Sequence, residues 1–314
     1  MRVLILALTL LHLPLLNAEP VKCDTIHDHP SIRYLGVGAF DIRYQNQRVL
    51  TDPFYSPHSY WDVLFPYTPD IPQITKVLGP PKANVDAIFI GHGHYDHAAD
   101  LPAIQSYLNK DASIFSSQSS EFIFNSFMSS DNLHGISESE FGKWIHTANG
   151  WIRFKAYASE HAPQALGINL FPKKHTKKLN RPPKYMWDWS QGTNINWLID
   201  FLAAPNSNKV IERIFIQTSA SEFPIGLPEI DDNIIVDKVF LAAASFENVD
   251  NYPTGIIKAL EPKSIFFIHW ENFFTQWYTN PSPLALIDLD TLLNEKTLHN
   301  RLKDSKLAHP NHCY

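Results

Sequence analysis

The sequence predicts a mixed α/β layered domain, on three observations. Short strand-like segments recur along the chain, an apolar run at 85–90 and others at 211–216, 238–243 and 264–268. Segments with helical character are interleaved, near 100–109, 253–260 and 285–303. The composition, 44% hydrophobic and 18% charged, is that of an ordinary globular protein. Alternating strands and helices bury their apolar faces best as layers.

The chain opens Met1-Arg2, runs apolar over residues 3–16, and reaches the small Ala18 before the polar Glu19-Pro20. A positive start, a short apolar run and a small residue at the break mark an export signal. The run is too short, and too interrupted by His12 and Pro14, for a good membrane span. Residues 1–18 are therefore read as a leader and 19–314 as a single domain, periplasmic or secreted. Cys23 and Cys313 are the only cysteines. In an oxidising compartment they could pair; two free thiols are the alternative. The net charge of −6, more negative still without Arg2, disfavours a nucleic-acid partner.

Residues 31–54 read as two strands and a turn. Ile32, Tyr34, Phe40, Ile42 and Tyr44 alternate. Gln45-Asn46-Gln47 is a polar turn, and a strand from Val49 stops at Thr51-Asp52-Pro53, since Pro cannot continue a central ladder. Residues 55–83, rich in Pro, Tyr and Trp, read as a long loop of the kind that carries function. The run 85–90 is a strand buried on both faces. It leads into Gly91-His92-Gly93-His94-Tyr95-Asp96-His97. Asp100 reads as a helix N-cap with Pro102 in the first turn. Strands are expected at 113–116, 151–158, 167–170 and 193–202, with an insertion between the last two. Leu289, Leu292 and Leu293 have helical spacing.

The chemistry concentrates in His92-x-His94-x-Asp96-His97. In an extended stretch, positions i, i+2 and i+4 point to one side. His92, His94 and Asp96 would then share a face beyond a strand end, with His97 reaching the same cavity from the turn. Neutral imidazole and carboxylate are zinc ligands. Gly91 and Gly93 allow close backbone approach there.

At these residues the chain resembles the metallo-β-lactamase superfamily, and the resemblance implies a four-layer αββα sandwich with a metal site at one edge. Val49-Leu50-Thr51-Asp52-Pro53-Phe54 is similar to the family's strand ending in an aspartate, which implies that Asp52 supports the ligands. Ser159-Glu160-His161-Ala162 resembles the third motif and Ile268-His269-Trp270 the last. The implied ligand set is His92, His94 and His161 at one site, and Asp96, His97 and His269 at a second. Many members carry a bridging aspartate where this chain reads Gln217-Thr218-Ser219-Ala220-Ser221, so Thr218 or Ser219 replaces it. One subclass of β-lactamases holds two zinc ions without that acid, which leaves one or two ions open.

The resemblance implies a hydrolase. Zinc lowers the pKa of bound water to about 7, and Asp96 would both ligate and orient the nucleophile. Di-iron relatives commonly carry glutamate at the position of His94, which favours zinc. The insertion at 173–189 holds Lys173, Lys174, His175, Lys177, Lys178, Arg181 and Lys184 with Tyr185, Trp187 and Trp189. Such a strip suits phosphate or carboxylate, with aromatic faces for an apolar group; a solvated loop is the plainer reading. Tyr55, Tyr60, Trp61 and Tyr67 are candidates for another wall, and Trp270 and Glu271 for the pocket. The Asp52-Pro53 strand end and His269-Trp270 are most similar to the branch of lactonases and N-acyl-phosphatidylethanolamine phosphodiesterases. The expected substrate is thus a small-molecule or lipid-like ester, lactone or phosphodiester, anionic ones included. A true β-lactamase is the alternative enzyme, and a non-catalytic metal- or ligand-binding module the alternative class.

Overall fold

The computed structural model describes residues 23, 28–164, 167–230, 233–285, 287–294 and 305–314, and the expected leader lies outside the described residues. The first strands are β1 (Ser31–Gly36), β2 (Ala39–Tyr44), β3 (Gln47–Thr51), β4 (Val85–Phe89), β5 (Leu108–Ser117) and β6 (Leu133–Ile136). Then come β7 (Ile145–His146), β8 (Ile152–Ser159), β9 (Asn194–Leu202), β10 (Val210–Gln217), β11 (Lys238–Ala242), β12 (Ser264–Ile268), β13 (Lys306–Leu307) and β14 (His312–Cys313). They form two seven-stranded sheets, ordered β14-β1-β2-β3-β4-β5-β6 and β13-β12-β11-β10-β9-β8-β7. Each sheet is antiparallel in one half and parallel in the other: β3 to β6 run parallel in the first, β10 to β13 in the second.

Three apolar cores make this an αββα sandwich. Between the sheets, Ile32, Phe40 and Phe89 meet Phe154, Trp197 and Ile216. Outside the first sheet, Leu50 and Ile88 pack with Ile74 and Val77 of α1 (Ile71–Leu78), and Ile123 and Phe124 complete that layer. Outside the second sheet, Leu241 and Phe267 pack with a helix at Thr254–Leu260 through Ile256, Ile257 and Leu260. Strands covered on both faces need near-continuous apolar runs, which is why residues 87–90 after Asp86 and 239–243 after Lys238 stand out in the sequence.

Several local expectations are corrected. The first expected strand is two, because Gly36 (φ 105°) and Val37 (φ 57°) turn the chain between β1 and β2. The loop 55–83 contains α1. Asp70 caps it by accepting from the Gln73 N–H at 2.9 Å, and Pro72 sits in the first turn. A helix at Gln118–Phe124, capped by Ser117, was not legible. Residues 101–107 form a 3-10 helix rather than an α-helix, and 167–170 form a loop with a single bridge residue rather than a strand. The last expected helix is described over Leu289–Asn294; residues 295–304 lie outside the described residues. Cys23 and Cys313 form a disulfide, with Cα atoms 5.8 Å apart.

Candidate metal centre

The candidate ligands and the residues that flank them sit just beyond strand ends. Asp52 follows β3, His92 and His94 follow β4, His161 follows β8, Thr218 follows β10 and His269 follows β12. Strands β8, β10 and β12 run in one direction, since β9 is antiparallel to its neighbours and β10 to β12 are parallel. Their carboxyl ends therefore share an edge, the place where open α/β sheets bind ligands.

The motif is extended only as far as His94; Tyr95–Ala98 is a single helical turn. This corrects the expectation that His92, His94 and Asp96 share one extended face. The turn carries Asp96 away, and two clusters result. His92, His94 and His161 form one, and Asp96, His97 and His269 the other, with the candidate ligand atoms of each within 4.8 Å of one another. The clusters adjoin, the His92 and His97 rings being 3.9 Å apart between centroids.

The donor atoms fit metal ions. His94 Nε2 lies 3.0 Å from Leu170 O, which leaves Nδ1 as its ligating atom. His161 Nδ1 lies 2.7 Å from Ala162 O, leaving Nε2. His97 Nδ1 lies 2.9 Å from Asp52 Oδ2, and the other Asp52 oxygen accepts from Gly91 N–H at 2.6 Å. Ligating histidines are oriented in this way by a bond from the other ring nitrogen. The buried His92 Nε2 and His97 Nε2 have no hydrogen-bond partner among the described residues. Asp96 Oδ2 stands 3.6 Å from His97 Nε2 and 3.4 Å from His269 Nε2. Those are long for charge-assisted hydrogen bonds, and close to the ~3.3 Å between neighbouring donors around a tetrahedral zinc ion.

Electrostatics favour the ligating state. Burial holds His92 well below the ordinary imidazole range, with His97, His161 and His94 adding to it. Burial likewise lowers His94 to about 4 and His161 to about 3, and it lowers His269. Burial opposes ionisation of Asp96, but His97, His269 and His94 outweigh it and hold the carboxylate charged. His97 is raised, because Asp96 and Asp52 outweigh its burial. Apart from His97, these are the neutral imidazoles and ionised carboxylate that metal binding requires.

Strained backbone surrounds the clusters: Asp52 (φ 35°) and His269 (φ 54°) lie in the left-handed region. Such conformations persist only where neighbours impose them. The His269 N–H donates to Tyr34 Oη at 2.9 Å, and that hydroxyl lies 2.9 Å from Glu271 Oε2. Glu271, pushed up to about 8 by burial, is part of this scaffold. Trp270 donates through Nε1 to Ala308 O at 2.7 Å. Neither residue lines the cavity, contrary to expectation.

The two candidates for the missing aspartate part company. Ser219 Oγ accepts from Ala162 N–H at 3.2 Å and so steadies the His161 loop. Thr218 lies under the centre: a Cβ on Gly91 would come 2.3 Å from its Oγ1, and one on Gly38 would come 2.4 Å from Asp52 Oδ2 and 2.9 Å from Thr218 Cγ2. These glycines let three backbone segments close on the donors. Asp100 also differs from expectation. Instead of capping its helix, it accepts from Tyr55 N–H (2.6 Å), Ser56 N–H (2.9 Å), Ser56 Oγ (2.8 Å) and Tyr67 Oη (2.7 Å). It thereby ties the aromatic loop to the motif.

A cavity of 690 Å³ opens on His94, Asp96, His161 and His269. Its apolar wall includes Leu170, Phe171, Phe273 and Phe274, and Tyr60 stacks on Phe274 with centroids 4.2 Å apart. Tyr55, Trp61 and Tyr67 do not line it, nor do Trp187, Trp189 or any basic residue of 173–184. Phe273 and Phe274 were missed in the sequence, although they follow His269 by only four and five positions. A 770 Å³ cavity beside the Thr254–Leu260 helix holds none of the candidate donors.

An αββα sandwich with paired imidazole and carboxylate clusters at its strand ends defines a metallohydrolase type of centre. Family comparison agrees. Residues 31–214, more than half of the chain, match the family model described as "Beta-lactamase superfamily domain", and the chain belongs to that superfamily. Family and donor set together make it a metal-dependent hydrolase of the superfamily. Among curated proteins, none matches the chain in sequence. The fold is similar to that of solved structures. The metallo-β-lactamase fold protein YhfI from Bacillus subtilis has TM-score 0.53 and 11% identity, covering 91% of this chain and 99% of that one. The metallo hydrolase Igni18 from Ignicoccus hospitalis has TM-score 0.53 and 14% identity, covering 91% and 97%. The diiron β-hydroxylase CmlA from Streptomyces venezuelae has TM-score 0.53 and 14% identity, covering 91% and 54%. These likenesses concern the fold, which hosts more than one chemistry.

Proposed function

We propose that the protein is an exported zinc hydrolase acting on an uncharged ester or lactone with a sizeable apolar group. The observation that carries this reading is the cavity. It opens on both donor clusters, is walled by aromatic side chains, and has no Lys or Arg among its described lining residues. An anionic phosphodiester would find no cation there besides the metal centre, so that class ranks below the neutral ones. Export is supported by the leader-like residues 1–18 and by the Cys23–Cys313 bridge. Zinc is supported by a donor set of imidazoles and one carboxylate, with histidine at position 94.

His92, His94 and His161 would hold one ion, and Asp96, His97 and His269 a second. A metal held there would supply Lewis acidity toward water and the scissile carbonyl. Asp96, kept ionised by the surrounding imidazoles, accepts a hydrogen bond from the attacking water through one carboxylate oxygen and orients it. Asp52 fixes the His97 ring, and the Leu170 and Ala162 carbonyls fix His94 and His161. Phe171, Phe273 and the Tyr60–Phe274 stack receive the apolar group.

The test is a panel of p-nitrophenyl esters of increasing acyl length, lactones, bis-p-nitrophenyl phosphate and nitrocefin, each with and without a chelator. Ester turnover that chelation abolishes is expected, with kcat/KM rising up to about fourfold per methylene, the factor for burying ~0.8 kcal/mol of apolar surface. Preferred turnover of nitrocefin would make the protein a β-lactamase. Bound zinc with no turnover across the panel would favour a binding module.

A further inference from the structure

Large apolar side chains exposed to solvent are unevenly placed. Among the described residues, most fall on two segments, one with Trp61, Leu64 and Phe65, the other with Ile168, Phe171 and Trp187. Trp61 is 75% exposed and Phe65 61%. The segments meet in space. The Tyr67 N–H donates to Lys184 O at 2.8 Å, and Tyr60 and Phe171 line the same cavity. Pro66 and Pro69 in the first segment, and Pro172, Pro182 and Pro183 in the second, fix φ and help hold the apolar tips outward.

The second segment is also basic. From His161 to Trp187 the chain has no Asp or Glu, yet it carries Lys173, Lys174, Lys177, Lys178, Arg181 and Lys184, all exposed, in a protein of net charge −6. Exposed Trp and Phe beside clustered Lys suit the boundary of a bilayer, where aromatic rings enter the headgroup layer and cations meet lipid phosphates. A protein partner fits less well, since Lys is depleted from protein interfaces.

We infer that this face docks the protein peripherally on an anionic lipid surface, with the rim of the cavity turned toward the bilayer. The docking depends on neither the metal nor the hydrolytic reading. It is tested on the full chain by cosedimentation with phosphatidylcholine vesicles, with and without phosphatidylglycerol. The chain is expected to bind the phosphatidylglycerol vesicles, and raised salt to weaken that binding. Lys174→Glu/Lys178→Glu lowers the affinity at least about fivefold per lysine. Trp61→Ser/Phe65→Ser lowers it at least about tenfold, the factor for withdrawing one buried aromatic side chain from apolar surroundings. None of these four residues lines the cavity, so hydrolysis of a soluble ester and the thermal melt stay unchanged and serve as fold controls. Failure to bind either vesicle, equal binding to both, or variants that bind like the parent chain would overturn the inference. Self-association lost in Trp61→Ser/Phe65→Ser, without vesicle binding, would overturn it in favour of a protein interface.

Discussion

Replacing Asp52 by Asn tests the support of the second cluster without changing side-chain size. Asp52 is fully buried and offers one oxygen to Gly91 N–H at 2.6 Å and the other to His97 Nδ1 at 2.9 Å. An amide has a single oxygen. If that oxygen stays on Gly91, the amide NH2 faces His97 Nδ1 and drives the ring to the tautomer protonated at Nε2, which cannot ligate. If the oxygen turns to His97, the Gly91 N–H is left buried without an acceptor, at a cost of about 1–3 kcal/mol. The first arrangement is the cheaper one. The variant should therefore stay folded, losing no more than about 3 kcal/mol in urea unfolding. It should lose about 10- to 100-fold in affinity at the Asp96–His97–His269 cluster, as removal of an orienting partner usually does. Chelator-competition titration resolves the two affinities. Unchanged binding at both clusters would refute the reasoning, because His97 would not then need Asp52 to present its Nε2.

Gly38→Ala places a Cβ 2.4 Å from Asp52 Oδ2 and 3.1 Å from His97 Nδ1 in a buried shell, and should cost about 1–3 kcal/mol in urea unfolding with weaker metal binding; parent-like stability would mean that the shell is looser than the structure has it. The metal-free protein should lose stability as pH falls below about 6.5, since the unfolded histidines take up protons there while His94, near 4, and His161, near 3, stay neutral in the fold. The loss should reach a few kcal/mol by about pH 4, and a flat urea-unfolding profile over that window would contradict the buried neutral imidazoles. Tyr60→Ala and Phe274→Ala remove the stacked wall and should raise KM for long-chain esters about tenfold while changing kcat and short-chain KM little; a fall in kcat alone would place the wall in the chemistry instead.

How much of this was legible in the sequence depended on the physical signal. Strands β4 and β11 are covered on both faces over most of their length, so the apolar runs at 87–90 and 239–243 are easy to read. The six candidate donors could be named from the sequence because His92, His94, Asp96 and His97 crowd one short stretch, with His161 and His269 placed after strand-like runs, and the structure brings them into two clusters. Their partition was not fully legible from spacing, since the helical turn at Tyr95 breaks the extended period. The turn at Val37 was hidden because the hydrophobic alternation resumes on its far side. Helix α1 was masked by a Pro- and aromatic-rich context, although Asp70 and Pro72 are ordinary start signals. Asp100 has the composition of a cap, and only the three-dimensional path of 55–67 shows that it serves other backbone groups. The basic strip suggested an anion pocket, but its charges lie outside the cavity, a matter of loop path that no periodicity encodes.

We propose that the two adjoining candidate clusters hold zinc and serve hydrolysis. That proposal is tested most directly by metal content and ester hydrolysis measured together, on the purified chain and on a His92→Ala/His94→Ala variant. About two zinc ions per chain, falling to about one in the variant with loss of hydrolysis, is the result expected from the paired clusters. Metal-free protein, or a variant that keeps full metal and full activity, would contradict the account and leave the buried histidines to be explained as structure alone.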